Sequence, residues 1–231
     1  MKKMKNPPIH LVNGNVPFEF AEAYKALRTN FNFAVHNGQD RKILITSAIP
    51  NEGKSSVAIN LALSLVQSGK RVLLVDADLR NPSLHRYLNV KRDAERGLSV
   101  ALMGNVTMED SIIETVLGID VIPGGPIPPN PAELVGSKAM GELLDAALEN
   151  YDYVICDAPP VGLVTDAAAL SALCDGVLFV VRQKETKKNM VYSAVHRLKS
   201  VDAKILGVIL NHYDMADAPE KDYSYYNGYR K

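Results

Sequence analysis

A Gly-Lys-Ser triplet inside the stretch SAIPNEGKSS (47–56) limits what this chain can fold into more than any other feature. It follows a short β-branched run and opens a segment with helical spacing, which is the context that a phosphate-binding loop requires. Gly53 would let the backbone approach phosphate oxygens, and the helix start would offer unpaired N–H groups and a positive dipole end. We therefore predict that Lys54 bridges the β- and γ-phosphates of a nucleotide and that the Ser55 hydroxyl takes one Mg²⁺ position.

The loop departs at one position from the pattern G-x-x-x-x-G-K-[ST]. The first glycine would fall at residue 48, where this chain has Ala48. Alanine tolerates a tight turn as long as φ stays negative, so we expect the loop conformation to be kept. The predicted nucleotide contacts of the loop are Ala48, Pro50, Asn51, Glu52, Gly53, Lys54, Ser55 and Ser56.

Short apolar runs alternate with helix-like segments along the 231 residues, a length that suits one α/β domain. Strands are predicted at 42–47, 71–77, 119–123, 152–158, 176–182 and 204–211. Helices are predicted near 17–36, 54–68, 136–149, 165–173 and 187–200, and the Pro/Gly-rich linker 124–133 is predicted to run extended. Because several strands are apolar almost throughout, we predict a mostly parallel central sheet with helices on both faces.

Carboxylates follow two more of the predicted strands. Asp76 and Asp78 end RVLLVDADLR, and Asp157 ends YDYVICDAPP. Ligands of open α/β sheets bind at the carboxyl ends of the strands, so these side chains should meet the phosphate loop there. Ser55, Asp76 and Asp157 are the predicted Mg²⁺ ligands, which leaves a carboxylate to accept a proton. The alternative is that Asp76 or Asp78 caps a helix or pairs with Arg80.

The chain ends in YSYYNGYRK, which carries four tyrosines and no aliphatic residue. The segment after Asn211 shows no apolar periodicity, so it cannot build a core and is predicted to be mobile. We therefore predict one domain over residues 1–211, including the helix at 17–36, and a flexible segment over 212–231. Its candidate phosphorylation sites are Tyr223, Tyr225, Tyr226 and Tyr229.

The stretches SAIPNEGKSS, LLVDADLR, YDYVICDAPP and PNPAEL, with the terminal tyrosines, resemble the bacterial tyrosine kinases of capsule and exopolysaccharide synthesis. The resemblance runs from about Glu19 to the end of the chain. It implies a P-loop NTPase-like fold, unrelated to eukaryotic protein kinases, with ATP and Mg²⁺ as cofactors. The residues carried over are the Walker A Lys54 and Ser55, the Walker A′ Asp76 and Asp78, and the Walker B Asp157.

The family also has a helix with the pattern E-x-x-R-x-x-R that joins subunits into a ring, an octamer being one candidate. This chain has EAYKALR, which places Glu22, Lys25 and Arg28 at those positions. Residues three and six apart lie along one helix face, which suits a contact between subunits. Lysine at the middle position keeps the charge of the family's arginine but loses its planar fork. A solvated charged stripe is the alternative reading.

The resemblance implies that the terminal tyrosines are phosphorylated by a neighbouring subunit of the ring. Lys54, Asp76 and Asp78 are then the candidate catalytic residues, with Asp76 as the first choice to receive the phenolic proton and Asp78 as the second. Several phosphates on one short segment would repel each other, so phosphorylation is expected to disassemble the ring. The family is also activated in trans by a membrane-embedded protein of polysaccharide chain length and export, which implies a cytoplasmic kinase recruited to the inner face of the plasma membrane.

Two other functions stay open on the sequence alone. The first is a switch ATPase like the plasmid-partition and division-site proteins, whose loop reads K-G-G-x-x-G-K. No lysine lies between Ser47 and Gly53 here, which favours the kinase. The second is a nucleotide-binding regulator without enzyme activity, for which three carboxylate positions would have no use.

The remaining features carry less information. Lys+Arg and Asp+Glu both count 26, which argues against a protein that coats nucleic acid. No apolar run has the length of a signal peptide or a membrane span, so a cytosolic chain with reduced cysteines is expected. Arg182 and Asn211 end the last two predicted strands, where a base could dock, although Asn211 could equally cap a turn. The five histidines are scattered without metal-ligand spacing.

Overall fold

The computed structural model of the chain describes residues 10–12, 14–35, 39–91 and 93–214. Within them a seven-stranded sheet has the order β3-β4-β2-β5-β1-β6-β7, and all neighbours pair in parallel except β3 and β4. The strands are β1 (Lys42–Ser47), β2 (Val72–Asp76), β3 (Ile113–Glu114), β4 (Asp120–Ile122), β5 (Tyr153–Asp157), β6 (Gly176–Arg182) and β7 (Ile205–Asn211).

The helices of the described residues cover both faces of this sheet. They are α1 (Phe18–Ala34), α2 (Lys54–Val66), α3 (Leu84–Tyr87), α4 (Leu98–Leu102), α5 (Met108–Ser111), α6 (Pro131–Val135), α7 (Lys138–Ala147), α8 (Asp166–Ser171) and α9 (Lys188–Lys199). None of them combines the length and the apolarity that crossing a bilayer requires. The predicted α/β architecture is therefore confirmed, with a mostly parallel sheet between two helical layers.

Alternating side chains of the strands supply the two apolar cores. Leu44 belongs to the core that includes α7, α8 and α9, whereas its neighbours Ile43 and Ile45 belong to the core that includes α1 and α2. Successive side chains of a strand point to opposite faces, so a strand covered on both sides must be apolar at every position. That is why the central strands read as continuous apolar runs.

Several local predictions were wrong. The predicted extended linker 124–133 becomes helical at its end, because Pro131 starts α6 with a φ already suited to a helix. The single helix predicted at 136–149 is shorter and begins only at Lys138, where the hydroxyl of Ser137 accepts the N–H of Met140 and caps α7. The sequence analysis also missed the short elements β3, α3, α4 and α5.

Arg41 ties the start of β1 to the turn between α7 and β5, at the end of the sheet opposite to the phosphate loop. Its guanidinium donates to the carbonyls of Asp152, Leu148 and Tyr151, at 3.0, 2.8 and 2.5 Å. We expect Arg41→Ala to lower the free energy of unfolding by about 2–3 kcal/mol, because partly buried carbonyls lose a charged donor. Denaturant unfolding of parent and variant measures this difference.

The matched control is Lys138→Ala. Lys138 forms its ion pair with Glu142 at 2.6 Å on the fully exposed surface of α7. Exposed pairs of this kind contribute little, so the control should unfold at the parent's denaturant midpoint. Equal midpoints for Arg41→Ala and the parent would contradict a stabilising role for Arg41.

Candidate active site

The phosphate loop joins β1 to α2 through two left-handed residues. Asn51 has φ 65° and Gly53 has φ 89°. A Cβ on Gly53 would lie 2.0 Å from Nδ2 of Asn211. Glycine is therefore required at residue 53 for its backbone conformation and for the space that Asn211 occupies. Lys54 and Ser55 follow at once as the first residues of α2.

Glu52 holds the phosphate loop in place through hydrogen bonds of its buried carboxylate. Its side chain is fully buried, and its carboxylate accepts the N–H of Ile49 at 2.7 Å, the N–H of Arg182 at 3.2 Å and the hydroxyl of Thr186. Since three protein donors occupy the carboxylate, a contact of Glu52 with a nucleotide through its backbone stays a prediction. The sequence analysis missed Thr186, because its partner lies more than a hundred residues away along the chain.

The two residues predicted near the base also contact the loop. Arg182 donates from Nη1 to the carbonyl of Asn51 at 3.1 Å, and Asn211 donates from Nδ2 to the carbonyl of Glu52 at 2.8 Å. Both side chains thus lie beside the predicted nucleotide site, where they hold loop carbonyls. A contact of either residue with the base stays a prediction.

Asp76 and Asp157 face each other at the carboxyl ends of β2 and β5, as the sequence predicts. Both are buried, at 0% and 1% exposure. Oδ2 of Asp76 accepts the N–H groups of Ser83 and Leu84, each at 2.9 Å, so Asp76 also caps α3. Its Oδ1 and both carboxylate oxygens of Asp157 have no hydrogen bond of ordinary length among the described residues, although the Ser55 hydroxyl is close enough to Asp157 to lower its pKa.

Burial is the main reason that the three carboxyl groups are hard to ionise. It raises the pKa of Asp76 well above the ordinary value, and the charge of Asp157 raises it further. It raises the pKa of Asp157 to about 6, although the charge of Lys54 works against this. It also raises the pKa of the half-buried Asp78, which the N–H of Asn81 and Lys54 oppose.

Unpartnered buried carboxylate oxygens are costly unless a cation binds them. Mg²⁺ suits this position, because it prefers oxygen ligands and needs only one or two from the protein beside its waters and a nucleotide's phosphates. The residues present therefore fit Mg²⁺: the hydroxyl of Ser55 together with the carboxylates of Asp157 and Asp76. Lys54 is buried at 9% exposure beside them and supplies the fixed positive charge.

Arg80 does not pair with the site aspartates. It binds Asp166 instead, through Nε at 2.8 Å and Nη2 at 3.0 Å. Asp78 accepts the N–H of Asn81 at 3.0 Å, which tightens the turn that follows it. Of the structural alternatives for these aspartates, capping therefore holds for Asp76, and pairing with Arg80 holds for neither residue.

The helix predicted to join subunits is α1. Lys25 and Glu22 form an ion pair with each other at 2.7 Å, while Arg28 donates from Nη1 to the carbonyl of Ser64 in α2 at 2.6 Å. Arg28 thus ties α1 to the helix that begins at the phosphate loop. The predicted tyrosine sites, Tyr223, Tyr225, Tyr226 and Tyr229, lie outside the described residues.

Comparison with known proteins identifies the family and the fold. A family model described as an AAA domain matches residues 41–209. The tyrosine-protein kinase YwqD of Bacillus subtilis (strain 168) is 41% identical over 207 residues, which are 89% of this chain and 86% of YwqD.

Two solved structures are similar to this chain in fold. The kinase domain of Escherichia coli tyrosine kinase ETK has a TM-score of 0.84 and 35% identity, covering 95% of this chain and 86% of that chain. The septum site-determining protein MinD of Pyrococcus horikoshii OT3, complexed with Mg-ADP, has a TM-score of 0.65 and 27% identity, covering 80% of this chain and 76% of its own. The kinase domain is the more similar of the two in sequence and in structure. The chain belongs to the bacterial tyrosine-protein kinases.

Proposed function

We propose that this chain is an ATP- and Mg²⁺-dependent protein-tyrosine kinase that phosphorylates the tyrosines of its own C-terminal segment. The observation that carries the proposal is the convergence of the Lys54–Ser55 helix start with the buried Asp76 and Asp157, which leave three carboxylate oxygens unpartnered. MinD, which shares the fold, is complexed with Mg-ADP, and this supports a magnesium nucleotide as the ligand of this chain.

Each residue of the site has a role in that reaction. Ser55, Asp157 and Asp76 would hold Mg²⁺, which when bound neutralises charge on the β- and γ-phosphates. Lys54 would contact the β- and γ-phosphates and stabilise the charge of the transferring group. The N–H groups at the start of α2 would hold the phosphates by their positive end.

The chemical step transfers the γ-phosphoryl group to a tyrosine hydroxyl. The phenolic oxygen bonds to the γ-phosphorus, the bond from that phosphorus to the bridging oxygen breaks, and ADP leaves. The phenolic proton must pass to a base in the site, since a free phenol has a pKa of about 10. Asp76 is our first choice, because its Oδ1 has no hydrogen-bond partner among the described residues and can accept a proton. The more exposed Asp78 is the second.

Asp76→Asn and Asp78→Asn distinguish these two bases. If Asp76 accepts the proton, Asp76→Asn should lower the rate of tyrosine phosphorylation about 10²- to 10⁴-fold, and Asp78→Asn should retain the parent's rise of rate with pH. Initial rates from pH 5.5 to 9 measure both effects, and Mg·ADP affinity is the control for loss of the metal. A flat pH profile in Asp78→Asn alone would assign the base to Asp78.

Phosphorylation in trans within a homo-oligomeric ring, an octamer being one candidate, forms part of the proposal. Besides Glu22 and Lys25, α1 presents Phe33 with 84% of its surface exposed. In such a ring Phe33 would be covered together with the charged residues of α1. Phosphates on the tail would add like charges and favour dissociation of the ring.

The wider setting is proposed from the family. A membrane-embedded protein of polysaccharide chain length and export would activate this kinase in trans and recruit it to the cytoplasmic face of the membrane. The kinase would thereby regulate capsular or exopolysaccharide synthesis. Protein tyrosines are its substrates, and nucleic acid is not among its partners.

The experiment that tests the proposal is intact-mass analysis after incubation with Mg·ATP, followed by phosphopeptide mapping. The parent should gain phosphates on the four C-terminal tyrosines, and Lys54→Met should gain none. If ATP turns over while no tyrosine is modified, either in the reaction or in the bacterial cells that made the protein, the switch-ATPase function replaces the kinase.

A further inference from the structure

Ser83 touches both halves of the metal site, although no motif marks it. Its Oγ lies 3.1 Å from Oγ of Ser55, and its backbone N–H donates to Oδ2 of Asp76 at 2.9 Å. The residue is buried, at 8% exposure. One residue therefore contacts the hydroxyl at the start of α2 and a carboxylate at the end of β2.

The turn after β2 holds Ser83 in this place. Pro82 packs so closely on Gly124 that a Cβ there would lie 2.9 Å from the proline ring. Arg80 fixes the same turn to Asp166 through two hydrogen bonds. Because the turn around Ser83 is fixed by these contacts and by the bond of its N–H to Asp76, its side chain starts from an ordered backbone.

The direction of the hydrogen bond between the Ser55 and Ser83 hydroxyls determines how Ser83 can act on the metal site. A serine hydroxyl has one proton to donate and two lone pairs to accept. A metal-bound Ser55 must use a lone pair for the cation, so its proton has to point elsewhere. Oγ of Ser83, at 3.1 Å, is one acceptor for it, and the carboxylate of Asp157, itself a candidate metal ligand, is the other. If Ser83 donated instead, it would compete with the metal for the same oxygen of Ser55.

We propose that Ser83 is a positioning residue for the metal site, which accepts the Ser55 proton and turns the Ser55 lone pair toward Mg²⁺. This inference rests on the proposed function, because it needs the Mg²⁺-nucleotide to bind at Ser55. It adds a residue that belongs to neither the phosphate loop nor the strand-end aspartates. Its backbone bond to Asp76 does not depend on the side chain, so the two contacts can be separated by substitution.

The test is a Mg²⁺ titration of the binding of a fluorescent ADP analogue to the full chain. Ser83→Ala should raise the Mg²⁺ concentration at half-saturation about five- to tenfold, the effect of one net hydrogen bond. Ser83→Cys, which keeps the size but accepts weakly, should move it in the same direction. Ser83→Thr keeps the hydroxyl and should restore the parent's value, and analogue affinity in excess EDTA should be equal in all four proteins.

The outcomes separate the inference from the proposed function. Unchanged Mg²⁺ dependence in both Ser83→Ala and Ser83→Cys would overturn the role of Ser83 while leaving the kinase proposal intact. An equal loss in Ser83→Thr, or a loss that persists in EDTA, would assign Ser83 to packing and also overturn it. If the parent itself bound the analogue without any response to Mg²⁺, the proposed function would fail first.

Discussion

Asp157→Asn is expected to lose phosphotransfer by about 10²- to 10³-fold and, without ligands, to unfold at a higher temperature than the parent. The loss of activity follows because an amide binds Mg²⁺ more weakly than a carboxylate and no longer offsets its charge. The gain in stability follows because Asp157 is fully buried without an ordinary-length hydrogen bond to either oxygen and pairs with Asp76 on the next strand. We expect the gain to be about 1–3 kcal/mol at pH 7.5.

The pH dependence of that gain is fixed by the pKa of Asp157. The folded-state pKa is about 6, above the ordinary carboxyl value, so the folded chain binds this proton more tightly than the unfolded chain. The group therefore stabilises the fold below the ordinary value, and this contribution is lost as the pH rises through 6. The variant and the parent should converge in stability near pH 4 and separate at pH 7.5.

Thermal unfolding without Mg·ADP measures the gain in stability, and thermal unfolding with Mg·ADP measures the loss of metal-nucleotide binding. Mg·ADP should raise the parent's melting temperature and leave that of Asp157→Asn nearly unchanged. Asp145→Asn is a control, because Asp145 is an exposed partner of Lys42, which lies at the end of β1 remote from the phosphate loop. A ligand-free variant that is less stable than the parent at pH 7.5 would mean that Asp157 has partners which the structure does not show.

Gly53→Ala is the second substitution with a large expected effect. The left-handed φ of 89° costs an alanine about 1 kcal/mol, and the new Cβ would lie 2.0 Å from Nδ2 of Asn211. Asn211 must then leave the carbonyl of Glu52, to which it donates. We expect nucleotide affinity to fall at least about 100-fold, since the backbone that cradles the phosphates is displaced.

Gly69→Ala provides the matched control for the backbone term. Gly69 has φ 84°, and its Cβ would have no atom within 4 Å. It should therefore show the same left-handed strain of about 1 kcal/mol in denaturant unfolding but bind nucleotide like the parent. Comparable affinities for Gly53→Ala and the parent, by calorimetry with Mg·ADP, would contradict the tight packing of Asn211 against the loop.

The contact itself can be isolated with Asn211→Ala. Removing the side chain leaves room for the Cβ at residue 53, so the double variant should be less impaired than the sum of the single losses. Simple additivity would mean that Asn211 moves aside without cost.

The apolar and helical periodicity of the sequence predicted the main strands and the longer helices correctly. The apolar runs gave the main strands because both faces are covered, and strand order then brought Asp76, Asp157 and Ser55 to one edge of the sheet. Glu52 could not be placed in the same way. Its partners Arg182 and Thr186 are more than a hundred residues away, and nothing in GKSS indicates which side of the loop they occupy.

The sequence analysis missed the short strands and helices for a related reason. β3 has two residues and α3 has four, which is too short for an apolar period to be recognised. Ser83 therefore could not be assigned to a helix start facing the site. α6 has only five residues and follows a Pro/Gly-rich stretch, so it was predicted as part of the extended linker, and α7 begins two residues later than predicted because Ser137 caps it.

The contacts of Glu52, Arg182 and Asn211 with the phosphate loop affect how a nucleotide binds. The carboxylate of Glu52 and the side chains of Arg182 and Asn211 hold the loop by its interior groups, so the cradle has its shape before a ligand arrives. Association then requires no ordering of the loop, and little backbone entropy is lost on binding. Nucleotide association should therefore be a single-step encounter whose observed rate is linear in nucleotide concentration, without the plateau that a folding loop would impose.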